Sequence, residues 1–251
     1  MPTPQTSLAA AFEAQLASLE RLGPSPGLGG RPRIHHEHVA AGDLLVVLPA
    51  RQPSRPELEG AASRGCAAVA LRPEDRHLTG GLPITTFLCD DPLALWGRLA
   101  AAYRAIALSM PVVAITGSMG KTTVKELCLA ATAGAGTLGN QNNLESVPFT
   151  LLGIPPSAPC AVLELGTNAR GEIARLAAIV APTIAVLTTI APAHLEAFGS
   201  LDGVAAEKGA LLDATDPSGA AVLNADEPRV VALRRRFRGS RVLWASAGVS
   251  P

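Results

Sequence analysis

VVAITGSMGKTTV, residues 112–124, decides how the rest of the chain is read. The apolar run Val112, Val113, Ala114, Ile115 gives way to a small glycine-containing turn, and Lys121-Thr122-Thr123 then opens an amphipathic segment. The pattern predicts strand, phosphate loop and helix. Backbone N–H groups of such a turn and of a helix N-terminus converge on one point and favour negative charge there. Lys121 adds a cation for outer phosphates, and Thr122 offers a hydroxyl to Mg²⁺. The residues Thr116, Gly117, Ser118, Met119, Gly120, Lys121, Thr122 and Thr123 are therefore expected to bind ATP or another nucleoside triphosphate. The spacing is unusual. Two residues separate Gly117 from Gly120, where a standard phosphate loop has four, and Ile115 stands at the place of the earlier glycine.

A chain of 251 residues can hold one large domain or two smaller ones, with ample core. Its formal charge is zero and aromatics make up 3%, which argues against a nucleic-acid partner. The start, MPTPQTSLAA, lacks a cationic segment followed by an apolar one, so no secretion signal is expected. The longest uncharged run, 176–193, is broken by Pro182 and Pro192 and reads as a buried strand with flanking turns, not a membrane span. Cys66, Cys89, Cys128 and Cys160 have no paired spacing, so neither zinc nor a disulfide framework is indicated, and a cytoplasmic location is expected. Eighteen arginines stand against three lysines, Lys121, Lys125 and Lys208, so a lysine here can mark a place that requires the compact amine.

Residues 8–22 have helical spacing and precede the linker GPSPGLGGRP. Strands are expected at 43–48, 67–71 and 85–89, with a helix at 57–64, giving a small α/β domain over residues 1–90. Alternation would set His36 and His38 of the cluster His35-His36-Glu37-His38 on one face, where two imidazoles could share an ion. A solvated edge or loop is the reading preferred, since no third ligand has a position.

Residues 91–251 read as a second domain, a mostly parallel sheet of phosphate-loop type with helices on both faces. A helix at 91–107 leads into the loop strand, and 121–135 is the helix after it. The turn at 139–143 places Asn142 and Asn143 either on their own backbone or on a ligand. Residues 161–166 form an apolar strand carrying Glu164 near its C-terminal end, where open parallel sheets bind ligands, so this carboxylate is expected to hold Mg²⁺; pairing with Arg170 is the alternative. His194 lies just past the strand at 183–190 and could face the same site. Lys208 sits on a helix at 201–212, where it alone would read as a solvated residue. Asn224 and Asp226 follow a strand at 220–223, where they could meet adenine or ribose or simply make a turn. Arg234, Arg235, Arg236 and Arg238 read as a charged helix surface.

The order of these elements resembles the Mur ligase family, the ATP-dependent ligases that build the peptide stem of peptidoglycan. The family's short loop, T-G-x-x-G-K-[ST]-[ST], is matched by residues 116–123. Glu164-Leu165-Gly166-Thr167-Asn168, Gly171-Glu172-Ile173, residues 193–200 (AHLEAFGS) and Lys208-Gly209 look like the branch that adds D-alanyl-D-alanine to UDP-N-acetylmuramoyl tripeptide. The match runs over about residues 91–230; Gly42-Asp43-Leu44 and residues 64–69 resemble the family's UDP-binding domain more loosely. The resemblance implies ATP and Mg²⁺ as cofactors. Lys121 and Thr122 would bind triphosphate and Mg²⁺, and Glu164 and His194 would carry metal. Lys208 would be carbamylated by CO₂ into an anionic metal ligand, and Asn224 and Asp226 would lie near adenosine. The substrate carboxylate would be activated as an acyl phosphate and then captured by the dipeptide amine, catalysis being mainly positioning and charge neutralisation.

Three departures accompany the resemblance. Family members read Asn-Asn-acidic-Ile-Gly-Val-Pro, whereas Leu144-Glu145-Ser146-Val147-Pro148 follows Asn142-Asn143 here. Residues 34–38 stand in place of an expected Asp-Ser-Arg. The family's central domain runs further than Pro251, and a third domain adds ATP and amino-substrate contacts. The sequence therefore reads either as the amide ligase, complete or as the N-terminal part of one, for which a separate C-terminal domain or partner chain could supply the rest, or as a nucleotide-binding fragment or paralogue without ligase activity of its own.

Overall fold

The computed structural model describes residues 4–193 and 195–248, and the chain divides into two compact units, Met1–Ala107 and Leu108–Pro251. In the first unit, helix α1 (Pro4–Leu16) leads to short strands β1 (Glu20–Leu22) and β2 (Pro32–Arg33) and then β3 (Leu44–Val46). Helix α2 (Arg55–Ser63), β4 (Ala68–Leu71), β5 (Thr85–Leu88) and α3 (Pro92–Ala107) follow. The sheet order is β1-β5-β4-β3-β2, parallel except for β1, which runs antiparallel to β5. Every residue of β3, β4 and β5 is buried, as expected of parallel strands covered on both faces. The Glu57 carboxylate accepts from the Ser54 N–H at 2.9 Å and starts α2.

Two expectations change here. The helix expected over 8–22 stops at Leu16, and Glu20–Leu22 is a strand whose backbone is taken up by β5. The unit boundary falls at 107/108 instead of 90/91, because α3 packs along α1 inside the first unit, burying Leu95, Trp96 and Leu99.

The second unit runs β6 (Val112–Thr116), α4 (Lys121–Thr132), β7 (Ala135–Gly136), α5 (Ser146–Gly153), β8 (Ala161–Glu164), α6 (Glu172–Val180) and β9 (Ile184–Leu187). Then come α7 (Leu195–Phe198), α8 (Leu201–Ala214), β10 (Ala220–Asn224), α9 (Pro228–Leu233) and β11 (Val242–Ala245). All six strands are parallel, in the order β11-β10-β9-β6-β8-β7. The chain moves outward from β6 to β7, returns through β8, and crosses to β9 on the other side. Right-handed crossovers then put α4, which packs on β6 and β8, on one face; α5, α6, α8 and α9 pack in succession on the other. Strand β6 is buried throughout and lies between β8 and β9, so the loops after all three strands meet at one edge.

Helix α4 ends three residues before the expected 135, where Ala133 takes a left-handed φ of 50° and its N–H bonds Leu129 O. Leu176–Val180 closes α6 and is not strand. Arg234–Arg236 form a 3-10 turn in which Arg236 pairs with Asp213 and Arg234 donates to Phe237 O and Gly239 O, so only part of that run is free surface. Among the described residues no helix is long and apolar enough to cross a membrane.

Candidate functional site

The loop after β6 is laced to the exit of β9. Thr116 is buried and its hydroxyl donates to Leu165 O at 2.9 Å, which ties the end of β6 to β8. Gly117 has φ +154°, and a Cβ there would run into the Thr188 hydroxyl, so any other residue would have to displace that side chain. Ser118 N–H donates to Thr189 O at 2.8 Å, Met119 N–H to Thr189 Oγ1 at 3.3 Å, and the Ser118 hydroxyl to Ala191 O at 2.9 Å. The amides of Ser118 and Met119, expected to face phosphate, thus hold the loop in shape. Gly120 (φ +80°) caps α4, whose first intrahelical bond is Val124 N–H to Gly120 O. The donors that helix geometry leaves pointing outward are the amides of the first turn, at Lys121, Thr122 and Thr123. Lys121 Nζ folds over the same spot, donating to Gly117 O at 3.0 Å.

Register brings Glu164 to this loop, since it lies opposite Ile115 across the β6–β8 ladder. Its carboxylate is 1% exposed and is held from two sides, by Thr122 Oγ1 at 2.8 Å and by Asn142 Nδ2 at 2.7 Å. The arginine alternative is overturned. Arg170 donates to Ala197 O and Phe198 O instead, and among the described residues Glu164 has no cationic partner.

Lys208 comes to the same cleft from α8, together with Gly117, Lys121, Asn142, Thr167 and Asn168; the cleft has about 110 Å³ of free volume. The solvated-helix reading fails, because Lys208 is 4% exposed. Burial, reinforced by the Lys121 charge and opposed by Glu207, pushes its amine down to about 8. Between pH 8 and the ordinary 10.5 the unfolded chain keeps a proton that the folded one has released, so stability rises with pH there. Below pH 8 the folded state bears the whole cost of the buried cation. Lys208→Met is accordingly expected to be more stable than the wild type at pH 7 in CO₂-free buffer, by up to about 3 kcal/mol. The advantage should shrink as the pH rises from 8 towards 10.5; a melting-temperature difference that stays constant across that range would refute the assignment.

Glu207, which the sequence reading passed over, organises the turn beneath this cleft. Its carboxylate accepts from Gly171 N–H at 2.7 Å, Ile173 N–H at 2.9 Å and the Thr167 hydroxyl at 3.4 Å, capping the start of α6. An acid next to a rare lysine is the only signal the sequence carried for it. Thr188 and Thr189 also went unnoticed, because threonines at a strand end have no distinguishing pattern.

A family model described as the Mur ligase middle domain matches residues 115–248. The chain belongs to the Mur ligase family. The UDP-N-acetylmuramoyl-tripeptide–D-alanyl-D-alanine ligase of Escherichia coli strain K12 is 39% identical over 209 residues, covering 81% of this chain and 44% of the relative. The same-named ligase of Synechocystis is 33% identical over 217 residues, covering 84% and 47%. A crystal structure of MurF from Acinetobacter baumannii superposes with a TM-score of 0.79 at 26% identity, covering 94% of this chain and 52% of that one. MurF from Thermotoga maritima in complex with ADP gives 0.71 at 25% identity, covering 90% and 52%. The chain spans about half the length of the curated relatives it matches.

Other expected positions in this Mur ligase chain divide. Asn143 lines the cleft, but its side-chain oxygen accepts from Ser146 N–H at 2.8 Å and starts α5, so it serves the turn. Asn224 accepts from Asp226 N–H at 2.9 Å, and Asp226 holds Ser246 and Ala247; neither lines the cleft. His194 lies outside the described residues. His36–His38 is a 3-10 turn, so the alternation that would pair His36 with His38 does not occur. The rings of His35 and His38 approach instead, with centroids 5.5 Å apart, and His36 sits 3.2 Å from Glu37 and 3.6 Å from Glu57. Among the described residues no three His, Cys, Asp or Glu side chains form a metal cage.

Proposed function

We propose that these residues form the nucleotide-binding part of a Mur-type ligase of peptidoglycan precursor synthesis, and that they bind ATP with Mg²⁺ without joining substrates by themselves. The observation that carries this reading is the Thr122–Glu164 pair, 2.8 Å apart and beside Lys121 at the C-terminal edge of a parallel sheet. The donor set fits Mg²⁺. That ion takes hard oxygens and keeps several waters, so one carboxylate and one hydroxyl beside a triphosphate suffice, and the absence of a three-residue cage among the described residues is no obstacle. When bound, Mg²⁺ neutralises phosphate charge. The protein's own part is to present the first-turn amides of α4 and the Lys121 cation to the outer phosphates, and to hold the Glu164 carboxylate in place.

The full reaction, as the relatives' names suggest, joins D-alanyl-D-alanine to UDP-N-acetylmuramoyl tripeptide; we assign it, with an acyl phosphate as the activated carboxylate, to a protein that spans the relatives' length. Lys208 would enter as a carbamate. Its burial and lowered pKa keep a fraction of neutral amine for CO₂ at neutral pH, and Lys121 would stabilise the anion formed. A carbamate carbon resonance in ¹³C-bicarbonate that is lost in Lys208→Met tests this; identical spectra for the two proteins would exclude it.

Titration calorimetry with a non-hydrolysable ATP analogue, with and without Mg²⁺, tests the nucleotide reading. Mg²⁺-dependent binding is expected. No binding under either condition would remove it. Phosphate release by the 251-residue chain that requires both UDP-N-acetylmuramoyl tripeptide and D-alanyl-D-alanine would instead establish a self-sufficient ligase.

A further inference from the structure

We infer that Lys125 is a positioning residue for the Glu164 carboxylate, acting through the turn at 137–143; the inference rests on the nucleotide and Mg²⁺ reading above. Lys125 is 0% exposed and is the one fully buried residue of α4, although its neighbours Glu126 and Leu127 face solvent. An ammonium in such a place is tolerated only with partners. Its Nζ donates to Gly139 O at 2.7 Å and pairs with Glu126 Oε1 at 2.6 Å.

Gly139 lies in the turn that follows β7, and the same turn is bonded to β8 and its exit at four points, the first being Thr137 N–H to Val162 O at 3.0 Å. The Thr137 hydroxyl accepts from Glu164 N–H at 3.0 Å, Asn142 O accepts from Gly166 N–H at 2.8 Å, and Asn142 Nδ2 donates to the Glu164 carboxylate. Helix α4 therefore holds Glu164 twice. Thr122 grips one carboxylate oxygen directly, while Lys125, one turn further on, anchors the segment that delivers Asn142 to the other. Between Thr137 and Asn142 the turn's own backbone contributes a single Gln141 N–H to Leu138 O bond of 3.3 Å. Without the lysine the turn is left with the Gly166 bond at its far end and one weak internal bond, so the Asn142 amide is held less firmly and its grip on Glu164 weakens. Groups that orient a metal-binding carboxylate typically change metal affinity by about 10-fold to 100-fold.

The test follows binding of the same ATP analogue to the 251-residue chain across a Mg²⁺ series and in EDTA. Lys125→Met is expected to raise the Mg²⁺ concentration for half-maximal binding by about 10-fold while leaving binding in EDTA unchanged. Asn142→Ala should reproduce that Mg²⁺-selective loss, and the double variant should be no worse than either single one. Glu126→Gln, which keeps the contact to Gly139, should respond as the wild type. Equal losses in Mg²⁺ and EDTA would mark a general structural role and overturn the inference, as would a wild-type Mg²⁺ response in either Lys125→Met or Asn142→Ala. Should Lys125→Met fail to fold, Lys125→Arg, which keeps the charge but cannot place its donor as the ammonium does on Gly139 O, is read by the same criterion. A wild-type chain that binds no analogue at all overturns the nucleotide reading together with this inference.

Discussion

Gly117→Ala is expected to abolish measurable ATP binding and to lower the melting temperature. The added methyl would occupy the position of the Thr188 hydroxyl, which itself donates to Met119 O at 2.6 Å, so that hydroxyl must turn away and its bond to the loop is lost. Overpacking of this kind costs about 1–3 kcal/mol, and a phosphate loop displaced by about 1 Å can lose about 100-fold in function. Gly120→Ala is the internal comparison. Its φ of +80° is also left-handed, but the nearest atom to an added Cβ is Thr188 Cβ at 3.8 Å, so only backbone strain of about 1–2 kcal/mol applies. Calorimetric binding and thermal melts of the two variants check the order. Equal effects would mean that strain alone, and not the Thr188 contact, shapes the loop.

The second large effect is expected at Glu164. Glu164→Ala removes the carboxylate that bonds the loop and leaves the Thr122 hydroxyl and the Asn142 amide without their shared acceptor. Affinity for the nucleotide in Mg²⁺ should fall by about 100-fold, the upper end of what disturbing a metal site does, with binding in EDTA little altered. Glu164→Gln separates the two roles of the group. Its amide oxygen can still accept from Thr122 while its NH2 group requires the Asn142 amide to turn and present its oxygen, so the loop should keep most of its thermal stability, yet without the negative charge the Mg²⁺ dependence should be lost. Retention of Mg²⁺-stimulated binding by Glu164→Gln would show that the carboxylate is a structural acceptor only.

Much of the site was legible because its parts are local or share one edge of a sheet. The apolar run, the glycines and Lys121-Thr122 are contiguous, and strand–loop–helix follows from them directly. Glu164 could be placed from the rule that residues at the C-terminal ends of parallel strands converge, and the structure puts it opposite Ile115. The expectations that failed did so for one kind of reason. Residues 8–22 have a helical pattern, but the backbone of Glu20–Leu22 is captured by β5, more than sixty positions later. Lys208 has the surroundings of a surface residue in sequence, and only the packing of α8 beside the loop buries it. His36 and His38 alternate on paper, yet a 3-10 turn rotates them apart.

The sequence by itself determined the strand–loop–helix around Lys121, the α/β class and the family, since these depend on short-range pattern and backbone chemistry. It also singled out Lys121, Lys125 and Lys208 by their rarity. What each lysine does was decided only by tertiary structure: one over the loop, one sealed behind it, one buried across the cleft. A buried charge is defined by the groups that satisfy it, and those come from far along the chain. Glu164 meets Thr122 across 42 positions and Glu207 meets Ile173 across 34. No local pattern encodes such pairs, because strand order and helix packing set them.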